Sequence, residues 1–381
     1  MKRRILASFL AMTLICSNHT MVFATEAVSQ DAGAAMVQNI ESSTPTVSES
    51  AISVNEVSKE DDVEPNIPPL TYHGEGEKQV SSIQETLPQL VRGESTIPSS
   101  YTSDVITSVK NQNPYGTCWA FSFIAASESS IIREGLADTN LDLSEWQLAY
   151  FTTHAVVDPL GGTAGDEYVI TSGDYLNAGG NVELTTRRVA TWQGLVAEED
   201  APYETVTTDK KSILDDSLAY TQNKFHLENA HYISMKDKDH VKQNIMKYGA
   251  CAASYYDDDT YYNVAGGWNV TERICTYTPS EEGINHGITI VGWDDNYSKD
   301  NFGTHKPTNN GAWLCKNSWS ARWSVDGYFW ISYEDAPLNS GNAYFYDYGT
   351  ADQYDYNYQY DGGVADYYYG SSADMYGANI Y

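Results

Sequence analysis

What most constrains this chain is a change of texture near Phe225. Before it, apolar residues recur at helical spacing; after it, they come in short runs bounded by Gly, Asn and Asp. Trp119-Ala120-Phe121, Ile124-Ala125, Glu128 and Ile131-Ile132 follow Gly116-Thr117 and stop at Gly135. That spacing predicts a helix beginning at Cys118, with Thr117 as its N-cap. Ser144 to Phe151 predicts a second helix, with Ser144 as cap and Glu145 in the first turn, and Thr185 to Trp192 a third. The runs 249–255, 287–293, 312–316 and 327–333 read as strands. A helical half over about 110–225 and a β-rich half over about 226–343 imply an α+β domain of two subdomains, with a cleft between them.

The chemistry collects at the junctions of these elements. Gln112-Asn-Pro-Tyr-Gly-Thr-Cys-Trp-Ala-Phe places Cys118 in the first turn of the first helix. Unpaired N–H groups and the helix dipole there favour thiolate over thiol, and the thiolate is the attacking form. Far downstream, His286 stands in Asn285-His-Gly, immediately before a strand and beside a flexible glycine. An imidazole near a thiol takes its proton and gives an ion pair near neutral pH. His154, His226, His231, His240 and His305 read as ordinary loop or surface positions. Asn317, in Lys316-Asn-Ser-Trp-Ser, offers an amide oxygen that would orient the imidazole without adding charge, and Trp319 would cover that bond. Gln112, six residues before Cys118, offers an N–H that could join the Cys118 backbone N–H in holding an oxyanion.

These three blocks, in this order, resemble the active-site blocks of the papain family of cysteine peptidases. The resemblance covers roughly Pro98 to Glu334. It implies a papain-like fold with a helical half, a β-barrel-like half and the active site in the cleft between them. It implies Cys118 as nucleophile, His286 as base then acid, Asn317 as orienter and Gln112 in the oxyanion hole. Leu143-Ser-Glu-Trp-Gln-Leu is similar to the family's second helix, and Asn177-Ala-Gly-Gly to its glycine pair. Gly179 and Gly180 would then line the cleft and bind the substrate backbone, a missing Cβ allowing close approach. The activity implied is peptide-bond hydrolysis through an acyl-thioester, on a peptide or protein substrate. Two rivals use the same residues: a retired papain-like binding protein, and a transpeptidase that passes the thioester to an amine.

The chain also departs from the family pattern. Tyr115 stands where the family usually has a disulfide cysteine, so the loop before Cys118 must hold its shape by packing. Ser320 and Ser324 stand after Trp319, where the family favours glycine, and serine is strained if those positions need positive φ. The Cys118–His286 separation is long for the family, which implies inserted loops, with 161–166 a candidate; 296–310, a second candidate, lies between His286 and Asn317 and must loop out.

The flanks read differently. Lys2-Arg3-Arg4, the apolar run Ile5 to Ile15 and Val22-Phe23-Ala24 form an export signal over 1–24, with an apolar run too short to span a membrane. Residues 25–97 lack a sustained apolar period and read as a pro-segment or linker, apart from a short helical stretch at 83–91. The peptidase domain is expected over 98–343. The segment 344–381 has 12 tyrosines and no Lys or Arg, and is expected as a tail or the start of a lectin-like domain. Tyr354, Tyr356, Tyr358 and Tyr360 alternate with polar residues, so the tail either presents an aromatic face to carbohydrate or packs on the core. The overall pattern resembles a bacterial secreted branch of the family, which implies an extracellular or cell-surface protein with no membrane insertion once the signal is removed. With 22 basic against 52 acidic residues and a net charge of −30, the chain does not suit a nucleic-acid backbone. No His/Cys cluster has metal-ligand spacing, so neither metal nor organic cofactor is expected. Cys118, Cys251, Cys275 and Cys315 are too few for a disulfide scaffold, and at least one besides Cys118 should be an unpaired thiol.

Overall fold

A computed structural model describes residues 96–159, 161, 175–203, 213–220, 224–355 and 357. The export signal, nearly all of the pro-segment with its helical stretch, residues 162–166 and most of the tyrosine-rich tail lie outside the described residues.

Five helices and eight strands are described. Helix α1 (Cys118–Arg133) begins at the predicted residue, and Gly135 beyond its end takes φ +73°. Helix α2 (Glu145–Thr153) is capped by the Ser144 side chain, which accepts from the Gln147 N–H. Helix α3 (Val182–Ala190) starts three residues earlier than predicted, because the Asn181 side chain caps it by accepting from the Leu184 N–H. Helix α4 (Lys238–Tyr248) falls inside the half expected to be stranded. Asp237 caps it, and Gly249 ends it at φ +92°. A short helix α5 (Ala336–Ser340) follows.

The strands are β1 (Ser100–Thr102), β2 (Phe225–Ser234), β3 (Cys251–Tyr255), β4 (Cys275–Thr276), β5 (His286–Asp294), β6 (Ala312–Lys316), β7 (Tyr328–Ser332) and β8 (Asn342–Thr350). They form one sheet in the order β2-β8-β3-β5-β6-β7-β4, with β1 on β5. The expectation of a barrel-like half is thus corrected: the path runs from β2 at one end to β4 at the other and does not close.

Alternation along the strands gives the sheet two buried faces. Cys251, Ala253, Tyr255, Ala343 and Phe345 pack with Val241, Ile245 and Tyr248 of α4. Ala252, Tyr346 and Tyr348 point the other way, toward Ala120, Phe123 and Ile124 of α1. Strand β8 therefore belongs to the core, and the first residues of the segment expected as a tail are its residues. The Tyr348 hydroxyl donates to Ser127 Oγ at 2.8 Å, and the Tyr344 hydroxyl to Glu183 Oε1 at 2.8 Å, so phenols serve here as core anchors with a satisfied polar end. His226 and His231 likewise lie on β2 rather than in loops: His226 stacks on Trp192 with ring centroids 4.1 Å apart, and burial pushes its pKa down to about 4.

Among the described residues no helix is long and apolar enough to cross a membrane. All four described cysteines are unpaired thiols.

Candidate active site

Cys118 is the first residue of α1 and His286 the first residue of β5. Gly287 lets the two elements meet. A Cβ built there would lie 3.2 Å from the Cys118 carbonyl carbon and oxygen and 3.3 Å from Trp119 Cα. Glycine after the histidine thus allows helix and strand to pack this closely without a shift.

The half-buried Cys118 thiol faces the His286 imidazole and the backbone N–H groups of Gly287 and Trp119, all of which favour its thiolate. His286 Nε2 donates to Asn317 Oδ1 at 2.8 Å, which leaves Nδ1 for the thiol. The Ser318 N–H also donates to Asn317 Oδ1, at 2.8 Å, which fixes the amide with its oxygen toward the ring. Trp319 lies over the imidazole with ring centroids 4.5 Å apart, as its place in the sequence predicts.

The electrostatics follow from these contacts. Burial pushes the Cys118 thiol up, but the hydrogen bond and charge of His286, with the two backbone N–H groups, bring it below its ordinary value. Burial pushes the His286 imidazole down, but Cys118, then the Asp257 carboxylate and then Asn317 raise it to about 9. The pair can therefore stand as thiolate and imidazolium near neutral pH.

Gln112 is buried and locked on both sides. Its Nε2 donates to the Tyr115 carbonyl at 2.9 Å and its Oε1 accepts from Ser318 Oγ at 2.6 Å, so one of its two N–H bonds is spoken for. Gly180 also has a local packing reason. A Cβ on Gly180 would lie 2.4 Å from Trp119 Cε2, so glycine there makes room for the indole beside Cys118. Gly179 takes φ +74°.

Ser320 and Ser324 do adopt positive φ, at 70° and 53°. Ser324 is compensated: its hydroxyl donates to the Tyr328 carbonyl at 2.6 Å and accepts from the Ile274 N–H at 3.0 Å. Ser320 has a weaker return, accepting from the Arg322 N–H at 3.3 Å. The segment around Asn317 is therefore held in the expected shape by hydroxyl hydrogen bonds in place of glycine.

Behind the site lies a cluster that sequence spacing does not reveal. Lys110 Nζ sits 3.0 Å from Glu128, 2.7 Å from Asp142 and 2.9 Å from Glu145. Lys316 Nζ, on the residue before Asn317, donates to Thr107 Oγ1 at 3.1 Å, and Thr107 donates to Glu128 Oε2 at 2.5 Å. Lys110, Glu128, Glu145, Lys316 and Asn317 line one small cavity, together with Gly287, the residue after His286.

A thiol at a helix start, an imidazole at a strand start and an amide oxygen bonded to that ring stand together here, an arrangement suited to thiol-nucleophile chemistry. Comparison with known proteins gives the family. The profile described as papain family cysteine protease matches residues 99–346, and the chain belongs to that family. It is 26% identical over 226 residues to the probable cysteine protease RD19D of Arabidopsis thaliana, covering 59% of this chain and 53% of that protein. It is 24% identical over 252 residues to pro-cathepsin H of Mus musculus, covering 63% and 62%. Among solved structures it is similar to the clostridial cysteine protease Cwp84 after propeptide cleavage, with TM-score 0.54, 31% identity and coverage of 67% and 59%. A second Cwp84 structure holds the cysteine protease and lectin-like domains of that surface-layer-associated protein of Clostridium difficile, with TM-score 0.56, 29% identity and coverage of 67% and 53%. The chain thus spans less than two thirds of the length of these relatives.

Proposed function

We propose that the chain is a cysteine peptidase in which Cys118 is the nucleophile, His286 the general base and acid, Asn317 the orienter and Gln112 an oxyanion donor. The row Cys118, His286 and Asn317, with the thiol facing the imidazole and a 2.8 Å bond from the ring to the amide, carries this reading. The Cys118 thiolate attacks the scissile carbonyl carbon, and the carbonyl oxygen takes the negative charge. The Cys118 backbone N–H and the remaining Gln112 N–H face that charge. As the C–N bond breaks, the leaving amine takes the proton of the His286 imidazolium, and an acyl-thioester remains. Water then attacks the acyl carbon and gives a proton to His286. The C–S bond breaks, the carboxylic acid leaves and the thiolate returns. Gly179 and Gly180 would guide an extended peptide, with Trp319 at the edge of the cleft.

Residues 1–24 are an export signal and 25–97 a pro-segment in this reading, which makes the protein secreted or surface-associated. The two Cwp84 structures support it, one of a propeptide-cleaved form and one of a surface-layer-associated protein. Residues beyond β8 would begin a further region, with carbohydrate contact as its proposed use.

Labelling with an epoxide probe for cysteine peptidases tests the core of the proposal. A single adduct mapped to Cys118, absent from Cys118→Ala and lost in His286→Ala, is the expected result. A folded protein with no adduct on Cys118 would overturn it. Added amine acceptors separate hydrolysis from transpeptidation by the product formed.

A further inference from the structure

The segment 112–117 ends on both groups proposed to meet the oxyanion, the Gln112 side chain and the Cys118 backbone N–H. Donors of this kind work only if they are held in place before the charge develops. Ser318 holds Gln112 from the side of the sheet, through the Oγ bond and through the Gln112 N–H, which donates to the Ser318 carbonyl at 2.8 Å. The opposite side is held by a residue that the assignment of roles above does not use.

Tyr203 reaches in from the helical half, just beyond a 3-10 turn over Glu198–Asp200. Its hydroxyl donates to the Gln112 carbonyl at 2.8 Å and lies 2.6 Å from Thr117 Oγ1. A phenol has a single proton, so with that proton on Gln112 the Thr117 hydroxyl must be the donor in the second bond. Thr117, at the N-cap of α1, makes no side-chain capping bond, and its described hydroxyl contact is the one to Tyr203. One buried oxygen therefore ties the two ends of the loop together. The ring is fixed edge-on against Phe121 and Tyr115, at 4.9 and 6.2 Å between centroids, and the Tyr203 N–H donates to Glu198 Oε1 at 2.7 Å. Burial pushes the phenol pKa far up, so the donor persists throughout the working range of pH.

We propose that Tyr203 is a positioning residue for the oxyanion donors, clamping Gln112 and Thr117 so that the loop keeps its shape without a covalent bridge at Tyr115. This rests on the peptidase reading above. In Tyr203→Phe the ring stays and both bonds go. The expected result is a fall of about tenfold in kcat for a peptide amide, with KM little changed. Alkylation of Cys118 by iodoacetamide forms no oxyanion, so its rate should stay within about twofold of wild type. In a Gln112→Ala background, Tyr203→Phe should lose most of its effect on kcat. Circular dichroism checks the fold. Should Tyr203→Phe fail to fold, Thr117→Val removes one of the two bonds and should show the same split at about threefold. Equal loss of hydrolysis and alkylation would make the role merely structural and overturn the proposal, as would a variant that matches a hydrolysing wild type. A wild type that alkylates but hydrolyses no peptide would overturn the peptidase reading and the clamp with it.

Discussion

Removing the Asn317 amide oxygen should show itself chiefly in the alkaline limb of the pH–rate profile. Asn317 Oδ1 accepts from His286 Nε2 at 2.8 Å, and both residues are buried. A hydrogen bond from a charged donor is worth about 1.5–3 kcal/mol, and one from a neutral donor about 0.5–1.5 kcal/mol. The ring donates through Nε2 in both states, so only the difference, about 1–1.5 kcal/mol, favours the imidazolium. At 1.36 kcal/mol per pH unit, Asn317→Ala should lower the His286 pKa by about one pH unit. The imidazolium is the working form, present below its folded pKa of about 9 and lost as pH rises through it. The alkaline limb of kcat/KM should therefore move toward neutrality by about that amount. At neutral pH the orienting bond is also gone, and kcat/KM should fall by about 10- to 100-fold. Asn317 Nδ2 has no hydrogen-bond partner among the described residues, but Oδ1 also accepts from the Ser318 N–H at 2.8 Å, so Asn317→Ser, whose short side chain reaches neither donor in the same way, is measured beside Asn317→Ala. The assay is kcat/KM of a fluorogenic peptide between about pH 5 and 10, beside the alkylation rate of Cys118. A limb that stays in place while the rate falls would refute the reasoning, because Asn317 would then orient the ring without favouring its charged form.

Three further outcomes are expected. Gly180→Ala drives a Cβ to within 2.4 Å of a buried indole, and the forced shift of Trp119 should cost about 1–3 kcal/mol in denaturant unfolding and lower kcat through its neighbour Cys118. Lys110→Met removes the cation beside the fully buried Glu128 and should lower unfolding free energy by about 3–5 kcal/mol in the same assay; a loss under about 1 kcal/mol would refute the reading that Lys110 is what compensates the burial of Glu128. Ser320→Gly relieves a φ of 70° and gives up only a 3.3 Å bond, so the melting temperature should rise slightly; a fall would show that the hydroxyl bond outweighs the strain.

The elements legible in the sequence are those whose ends carry their own signals. Helix α1 starts at a residue flanked by Gly116-Thr117, α2 has Ser144, and β5, β6 and β7 are bounded by Gly, Asn and Asp. The chemistry sits at those same ends, which is why Cys118, His286 and Asn317 could be picked out before any coordinates. Helix α4 was legible in principle, since Asp237 and Gly249 bracket it, but its polar composition was masked by the strands on either side. Strand β8 was not, because nothing local in Asn342–Thr350 reports that it is inserted between β2 and β3, strands far earlier in the chain. Its tyrosines open a segment whose sequence allows either an exposed aromatic face or packing on the core, and Tyr346 and Tyr348 are buried.

The support of the site belongs to this second kind. Tyr203 lies 91 positions from the Gln112 it clamps, and Ser318 lies 206 positions from it on the other side. Glu128 and Glu145 look like ordinary polar positions on their helices until the fold brings Lys110 and Lys316 against them. The groups proposed to react carry short-range signals, since a thiolate is favoured at a helix start and the glycine after His286 lets that strand approach the helix. What holds them to a fraction of an ångström is set by contacts between distant segments, each of which can be made by many side chains. Here the loop before the nucleophile is held by a phenol and two hydroxyls. Their loss should separate chemistry from nucleophilicity: the thiol would still react with a small alkylating agent and turn over peptides slowly.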